Sequence, residues 1–511
     1  MKKYIAILAS AALVFSSCEK SFEVEDSSRL SGSEAATMVE QDPSFLLSYV
    51  NGFYSWMVQY RTSGSSSAAH DDFGFLCVGY NTDMMGQDIA INGTWNWGTY
   101  DINHDYGAYN YNRTYIFWNF FYTLIKKCNE VIDFFGTDDP VNATLRGYLG
   151  QAYALRAFSY TYLMQLYQDT VEGTTPSMTF RDSAPGVPIV YATRDGVSTE
   201  EATAKAGRNT LADIKVEVER NLALALPLLE GYERASKNEV NTQVAQGIAA
   251  RYYLLTQQWD KAITAAQAAQ KGFDLMDNAR VNSGFMDISD NEVLWGFDHN
   301  AETMTSYASF FSHMSNDSQG YGGVGQSVHC IDSRLYNSME NTDYRKTLFN
   351  GPDGDAAAAT TGAKLPYAAR KFGYMAGWLQ DYIFMRNAEM ILIEAEAHAR
   401  LSDGQAATTL GKLMAMRDPS WGKGTVTVDD VLLQRRIELW GEGFEYFDLR
   451  RNGLPAVRKY DGSNHSAEAQ YNFPAHGKSW NFQIPRQEMQ NNNSITEEEQ
   501  NEWITGTKET F

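Results

Sequence analysis

The sequence predicts a mostly α-helical fold made of helix hairpins, with long irregular loops inserted between them. Three observations predict it. Several segments repeat their apolar side chains every three to four residues, as amphipathic helices do. Small side chains recur where paired helices would meet, and no Pro- or Ser-rich linker divides the interior of the 511-residue chain. We therefore expect one helical body over residues 39–511 rather than a string of separate domains.

The first predicted hairpin joins residues 115–135 to residues 143–168. Gly136 and Pro140 follow the first segment and stop a helix there. In the second segment the apolar residues fall on one side of the helix: Ala152, Leu155, Phe158, Tyr162 and Leu166. The two segments are expected to pack antiparallel.

The second predicted hairpin joins residues 240–257 to residues 261–271 across the turn Trp259-Asp260. An aromatic residue followed by an acid before the second helix is typical of a tetratricopeptide hairpin. Degenerate copies are expected at residues 387–401 with 405–417, and at residues 211–229 if that helix pairs with the one at 240. The predicted scaffold is therefore tetratricopeptide-like, since stacked helix pairs form a rigid body.

The amino terminus has the pattern of a bacterial lipoprotein leader. Two lysines precede an apolar run over residues 4–15, which is too short to span a bilayer but suits a signal peptide. Two serines then lead into Cys18, whose thiol would be acylated after cleavage. Phe15 stands where lipoprotein leaders usually have Leu. The alternative is an ordinary secretory signal with a chance cysteine.

The leader pattern divides the chain into three predicted segments. We expect residues 1–17 to be a signal peptide, residues 18–38 to be a lipidated N-terminus and flexible tether, and residues 39–511 to be the ligand-binding body. The tether is acidic and poor in apolar residues. Acidic residues directly after the lipidated cysteine resemble the signal that sends some lipoproteins to the outer face of the cell.

Charge and cysteine content exclude several classes of function. The formal net charge is -21, which argues against nucleic acid and polyanionic ligands and favours neutral ones. The chain shows no phosphate loop, Gly-x-Ser-x-Gly or His-Glu-x-x-His motif, so no cofactor, metal site or catalytic residue is predicted. The other cysteines, which we expect to be buried apolar residues, are Cys77, Cys128 and Cys330.

The candidate ligand-binding residues lie in loop-like segments. Trp95 and Trp97 flank Asn96 in a Gly-bounded stretch, and in an extended chain both rings would project to one side, with Tyr100 nearby. Such rings would offer a flat stacking surface to a ligand. The further candidates beside them are Tyr80, Asn81, Asp83, Trp295 and Tyr321. The alternative for any one of these aromatics is a place in the packed scaffold.

Two polar clusters leave alternatives open. His70-Asp71-Asp72 could be a metal constellation, but three consecutive residues do not easily converge on one ion, which favours loop capping. Three glutamates, Glu438, Glu442 and Glu445, would share one helical face. They could form an acid/base or metal site, but a structural network with Arg435, Arg436, Arg450 and Arg451 is favoured.

Four stretches form a recognisable set of motifs: residues 155–167 (LRAFSYTYLMQLY), 386–397 (RNAEMILIEAEA), 435–451 (RRIELWGEGFEYFDLRR) and 482–488 (FQIPRQE). In this order they resemble the motifs of the SusD/RagB family of outer-membrane nutrient-binding lipoproteins, and the resemblance spans nearly all of the chain after Cys18. Members commonly have Asn-Pro after the last motif, where this chain has Asn491-Asn492-Asn493.

The resemblance implies a cell-surface lipoprotein, anchored in the outer membrane, that captures an oligosaccharide. It would deliver that ligand to a SusC-like TonB-dependent transporter and would not be an enzyme. A RagB-like protein would bind an oligopeptide instead. The remaining alternatives are a surface glycan adhesin and a glycoside hydrolase, although no pair of carboxylates stands out for hydrolysis.

Overall fold

The computed structural model describes residues 39, 42, 44–63, 70–92, 99–137, 139–168, 171–173, 179–204, 206–304 and 307–511. The α-helices in these ranges are α1 (Ser44–Met57), α2 (Phe75–Asp83), α3 (Thr99–Ile102), α4 (Asn112–Ile132), α5 (Ala143–Tyr167), α6 (Thr199–Thr203), α7 (Leu211–Leu229), α8 (Thr242–Leu255), α9 (Trp259–Ala269), α10 (Asn278–Val281), α11 (Phe310–Met314), α12 (Ser333–Asn337), α13 (Asn387–Leu401), α14 (Ala406–Met414), α15 (Val428–Glu438), α16 (Glu445–Arg451) and α17 (Arg486–Asn491). None of the helices in the described ranges is long and apolar enough to cross a membrane.

Within the described ranges, the β-structure consists of four small antiparallel sheets of two strands each. The pairs are β1 (Ile89–Asn92) with β5 (Val328–Ile331), β2 (Val171–Glu172) with β3 (Thr179–Phe180), β4 (Val293–Phe297) with β6 (Tyr382–Arg386), and β7 (Ala456–Val457) with β8 (Asn472–Phe473). The predicted mostly helical class is confirmed.

The predicted hairpins are present. Helix α4 packs on α5, α8 on α9, and α13 on α14, while α9 also packs on α13 and so joins two hairpins. The alanines of α9 that face these neighbours are buried: Ala262, Ala265, Ala266 and Ala269. Small side chains at these positions let the helices approach closely.

Helix α7 differs from the prediction, because it packs mainly against α5 and less against α8. Gly150 of α5 explains this preference. A Cβ added at Gly150 would lie 2.8 Å from Leu229 Cγ, so the glycine admits the α7 leucines close to the α5 backbone. The fit leaves Leu228 and Leu229 almost fully buried.

A network of buried ion pairs occupies the region around α15. Arg386 pairs with Glu438 at 2.8 Å and with Glu292 at 2.6 Å, and Arg417 pairs with Glu438 at 3.0 Å. Burial raises the pKa of Glu438, but the guanidiniums of Arg417, Arg386 and Arg345 outweigh it and hold that pKa well below its ordinary value. The Glu442 carboxylate pairs with the Lys371 ammonium at 2.5 Å and with the Arg386 guanidinium at 2.7 Å. The glutamates therefore serve the scaffold.

The prediction that Glu438, Glu442 and Glu445 share one helical face is wrong. Helix α15 ends at Glu438, Glu442 lies in the following turn, and Glu445 begins α16. The positive φ of Gly441 (73°) and Gly443 (87°) reverses the chain between the two helices. The arginines expected as partners also differ, since Arg435 and Arg451 bind Asp448 and Arg436 binds Asp88.

A reciprocal carboxylate clamp, formed by Asp83 and Glu445, joins two distant parts of the chain. Asp83 accepts hydrogen bonds from the backbone N–H groups of Gly443 (2.7 Å) and Glu445 (3.0 Å). Glu445 in turn accepts from the backbone N–H groups of Gln87 (2.6 Å) and Asp88 (3.0 Å). Gly79 and Gly443 touch beside the clamp, because a Cβ on Gly443 would lie 2.6 Å from Gly79 Cα.

Burial controls the pKa values of the clamp. Removal from water raises the pKa of Asp83 to about 7, against the lowering effect of the two backbone N–H groups. Burial and the neighbouring Asp88 carboxylate also raise the pKa of Glu445 well above its ordinary value. The clamp therefore binds backbone amides with carboxyl groups that hold their protons at unusually high pH.

The expectations for the three cysteines and for Asp72 are confirmed. The side chains of Cys77, Cys128 and Cys330 are buried free thiols. Asp72 caps a loop, accepting from the Thr62 hydroxyl at 2.6 Å and the Ser63 N–H at 3.0 Å. Among the described residues, no group of His, Cys, Asp and Glu side chains is arranged to hold a metal ion.

Candidate functional site

Of the predicted loop aromatics, Tyr100 is the one that the structure places at the surface. It lies in the short helix α3 and is 48% exposed. Trp95 and Trp97, in residues 93–98, lie outside the described residues. Their proposed stacking role stays a prediction.

The prediction that Tyr80, Asn81 and Asp83 face a ligand from a loop is wrong. All three lie on α2 and are at most 3% exposed. The Tyr80 hydroxyl bonds to His313 Nδ1 at 3.2 Å, the Asn81 amide donates to the Cys77 carbonyl at 2.6 Å, and Asp83 belongs to the clamp. These three side chains are therefore bound inside the protein and do not face a ligand, although the Asn81 Oδ1 atom is buried without a hydrogen-bond partner.

Trp295 also belongs to the interior. It lies in β4, is 0% exposed, and donates its indole N–H to the Asn238 carbonyl at 2.9 Å. Its ring packs edge-on against Phe158 and Phe384. The expectation that Trp295 comes from a ligand-binding loop is wrong.

Tyr321 is 8% exposed and lies just beneath the surface. Its hydroxyl bonds to His70 Nδ1, and its ring stacks on His313 with centroids 4.8 Å apart. Tyr307, 54% exposed, covers its edge at 5.7 Å. Tyr321 therefore supports an exposed ring rather than presenting its own, which corrects its predicted role.

Around Tyr100 lies a surface segment that we call the tyrosine platform, formed by three rings in contact (Tyr100, Tyr106 and Tyr111) and by the exposed Tyr109, which lies between Tyr106 and Tyr111 in the chain. Tyr100 stacks on Tyr106 with centroids 4.7 Å apart and planes 20° from parallel. Tyr106 meets Tyr111 at 5.1 Å. Tyr109 is 45% and Tyr111 37% exposed, so the platform offers apolar ring surface to solvent. Sequence reasoning identified Tyr100 alone, although the run of tyrosines through residue 111 was a visible signal.

Arg113 holds the platform in place from below. Its guanidinium donates to both carboxylate oxygens of Asp101, at 3.0 and 2.8 Å, and to Asp71 at 2.5 Å. Its charged carbon also lies 5.4 Å from the centre of the Tyr106 ring. A planar guanidinium can bind two carboxylates and a ring face at once, which a lysine cannot. Arg113 thereby fixes α3, the start of α4 and the turn at Asp71 relative to one another.

The electrostatics of this support are those of a buried ion pair. Burial raises the pKa of Asp101 to about 6, while Arg113 opposes that rise. Burial lowers the pKa of Arg113, but Asp101 and Asp71 reverse this and leave it well above its ordinary value. The guanidinium stays charged, and it binds carboxylates of the scaffold rather than a ligand.

The turn at Asp71 connects the platform to a second aromatic group, made of His70, Tyr307, His313 and Tyr321. His70 is adjacent in sequence to Asp71, which binds Arg113. Burial lowers the pKa of His313 to about 4, so this ring is neutral near pH 7. The site is therefore rich in neutral aromatic surface and suits apolar faces with hydroxyl groups at their edges.

Two protein-family models and one named relative match this chain. Residues 375–503 match the model described as "SusD family", and residues 70–254 match the model described as "Starch-binding associating with outer membrane". A SusD-like protein P2 of Formosa agariphila is 24% identical over 431 residues, covering 74% of this chain and 79% of the relative.

Solved structures share the fold. A SusD-like carbohydrate binding protein from Bacteroides vulgatus has a TM-score of 0.73 at 24% identity, over 91% of this chain and 98% of its own. A surface glycan-binding protein A from Bacteroides uniformis has a TM-score of 0.64 at 18% identity, over 90% of this chain and 99% of its own. The matched motifs, the helix-hairpin scaffold and the two family models agree, and the chain belongs to the SusD/RagB family.

Proposed function

We propose that this chain is a glycan-binding lipoprotein of the bacterial outer membrane. The observation that carries the proposal is the tyrosine platform, in which three of the four rings are more than a third exposed and one pair is stacked. Soluble proteins rarely leave several large aromatic rings together at the surface without a ligand or partner. The family description and the relatives named for carbohydrate or glycan binding support the same conclusion.

The ligand class follows from the chemistry of the platform. Aromatic rings stack against the apolar C–H faces of sugar rings, and tyrosine hydroxyls exchange hydrogen bonds with sugar hydroxyls. The cation beneath the platform, Arg113, is 3% exposed and already bound to two carboxylates. With a net charge of -21, the protein would repel polyanions. A neutral oligosaccharide is the ligand that fits.

The central experiment removes exposed rings from the platform. Tyr100→Ala/Tyr109→Ala should weaken binding of a neutral oligosaccharide at least about tenfold, since each stacked aromatic contact contributes about 0.5–1.5 kcal/mol beyond its buried area. Both side chains are about half exposed, so the melting temperature should change little. Trp95→Ala/Trp97→Ala should have the same phenotype. Tyr253→Ala, which removes a half-buried tyrosine of α8, is the matched control.

Binding should be measured by calorimetric titration with gluco-, galacto-, manno- and xylo-oligosaccharides, followed by an assay for new reducing ends. Unchanged affinity in both double variants would refute the platform as the binding site. Binding of tryptic peptides instead of sugars would favour a RagB-like function, and accumulation of new reducing ends would favour a hydrolase.

The anchor is tested separately. We expect Cys18→Ala to leave the protein folded but to release it from the outer-membrane fraction, because the lipid on that cysteine would be its attachment. In cells lacking the transporter, a variant that still sediments with outer membranes would contradict the lipid anchor. Protease treatment of intact cells would test whether the body faces the exterior.

Delivery to a transporter is the last part of the proposal. A SusC-like TonB-dependent barrel should co-purify with the protein from outer membrane solubilised in mild detergent. Recovery of the protein alone, with intact ligand binding, would instead favour a surface adhesin.

A further inference from the structure

A second cleft lies on the outer face of α4 and has a volume of about 390 Å³. Its aromatic side is formed by Tyr115, Trp118 and Tyr122, which recur at the spacing of one helical face. The opposite face of α4 already supplies the core with fully buried Phe117, Phe121 and Leu124. Trp118 also packs into the core at 4% exposure, whereas Tyr115 and Tyr122 stay half-buried along the cleft.

The other side of the cleft is polar. Asn119 of α4, together with Gln487 and Glu488 of α17, contributes carboxamides and one carboxylate. Glu488 is already engaged, since it accepts from the Trp118 indole at 3.3 Å and from Asn492 at 2.7 Å. No lysine or arginine is among the described residues that line the cleft. The described lining thus offers hydrogen bonds from carboxamides and carries one carboxylate.

Two polar groups of the cleft are free to form hydrogen bonds with a ligand. The half-buried Tyr115 hydroxyl and the exposed Gln487 carboxamide make no hydrogen bond to any side chain or backbone group in the described ranges. By contrast, the Tyr122 hydroxyl donates to the Pro188 carbonyl at 2.7 Å, so it helps to fix the wall. A cleft with a fixed aromatic wall and unsatisfied polar groups at its rim has the ordinary anatomy of a small-ligand site.

We propose that this cleft is a second binding site for one or two neutral sugar units. The half-buried rings of Tyr115 and Tyr122 would contact the sugar, and the buried Trp118, 4.6 Å from Tyr122 between ring centroids, would hold Tyr122 in place. Tyr115 and Gln487 would bind its hydroxyls. The choice of sugar as ligand rests on the proposed function, whereas the cleft itself does not depend on the platform.

The cleft also lies next to the platform segment. The Arg486 N–H donates to the Tyr109 carbonyl at 2.8 Å, and the Tyr109 N–H donates to the Gln483 side chain at 3.0 Å. These bonds place the start of α17, and with it Gln487, beside the exposed tyrosines. A glycan with several sugar units could therefore engage both sites, and two linked contacts raise overall affinity more than either alone.

The test compares Tyr115→Ala/Gln487→Ala with Tyr100→Ala/Tyr109→Ala in the full-length protein in detergent, titrated with neutral tetrasaccharides of glucose, galactose, mannose and xylose. We expect the wild type to bind two equivalents of at least one probe, and each double variant to bind one. The cleft variant should also lose about tenfold in affinity for the corresponding hexasaccharide. Tyr253→Ala should retain both sites, and melting curves should show that all variants are folded.

The outcomes separate the two sites. If the cleft variant alone lost sugar binding, this result would support the cleft as a binding site and refute the platform as one. A cleft variant that binds every sugar as the wild type does would overturn the inference. It would equally be overturned if no neutral sugar bound the wild type, or if polygalacturonate or tryptic peptides bound at the cleft instead.

Discussion

The contact between Gly79 and Gly443 predicts a large loss of stability for Gly443→Ala. Gly443 has φ 87°, a conformation that costs a residue with a Cβ about 1–2 kcal/mol. The added Cβ would also lie 2.6 Å from Gly79 Cα, far inside the contact distance of two carbon atoms, about 3.5–4.0 Å. Because the neighbouring atom is backbone, relief requires α2 and the turn before α16 to move apart.

That movement would break the reciprocal carboxylate clamp. Asp83 would lose its hydrogen bonds to Gly443 and Glu445, at 2.7 and 3.0 Å, and each such bond contributes about 0.5–1.5 kcal/mol. Adding strain and lost bonds, Gly443→Ala should lower the free energy of unfolding by about 2–5 kcal/mol.

Two control variants separate strain from collision. Gly462 has φ 83°, but a Cβ added there would meet no atom within 4 Å, so Gly462→Ala should cost only the strain, about 1–2 kcal/mol. Gly79 has an ordinary helical φ, and its Cβ would lie 2.9 Å from Gly443 Cα, so Gly79→Ala should show the collision without the strain. Urea unfolding at 25 °C, followed by tryptophan fluorescence and circular dichroism, measures how much each variant loses in free energy of unfolding. Equal losses for Gly443→Ala and Gly462→Ala would refute the reasoning.

Three further predictions concern buried groups. Trp295→Ala should lower the free energy of unfolding by about 3–5 kcal/mol through the cavity it leaves, without changing sugar affinity per folded molecule; a loss below about 1 kcal/mol in urea unfolding would contradict its burial. Arg113→Met should destabilise the protein more at pH 8 than at pH 5, because Asp101 would lose the cation that opposes its raised pKa. It should also weaken oligosaccharide binding by disordering the platform, and equal loss at both pH values would contradict this account. In the wild type, the pKa of about 7 for Asp83 exceeds that of the unfolded chain, so its contribution to stability declines as pH rises from about 4 to 7. Asp83→Asn should therefore flatten the dependence of the urea midpoint on pH between 5 and 7, and a dependence as steep as the wild type would contradict it.

The helical scaffold was predictable because its signal is local. Apolar spacing and the Trp259-Asp260 turn identified α4, α5, α8 and α9 before any tertiary information. The partner of α7 was not predictable in this way, since it depends on the space left by Gly150 on a helix far away in sequence.

The site was harder to predict because polarity in sequence does not distinguish a surface from a satisfied interior. The segment containing Asn81 and Asp83 looks like a solvated loop, yet its polar atoms bind backbone groups inside the protein. Conversely, nothing local shows that Tyr109 and Tyr111 face outward while Tyr80 faces inward. The ion pairs of Arg113 with Asp71 and Asp101, which position α3 and the start of α4, come together only in the folded chain.

The reciprocal carboxylate clamp has a consequence for how the chain acquires its structure. Gln87 and Glu445 are separated by 358 positions, and the buried Arg458 also donates to the carbonyls of Gly86 and Met84. The N-terminal part of the body therefore cannot reach its final packing until residues near the C-terminus have been made. Contacts so distant in sequence slow folding. The signal peptide predicted for residues 1–17 implies export, and in an exported chain this delay would keep the polypeptide unfolded, and so able to pass through a membrane, until its synthesis is nearly finished.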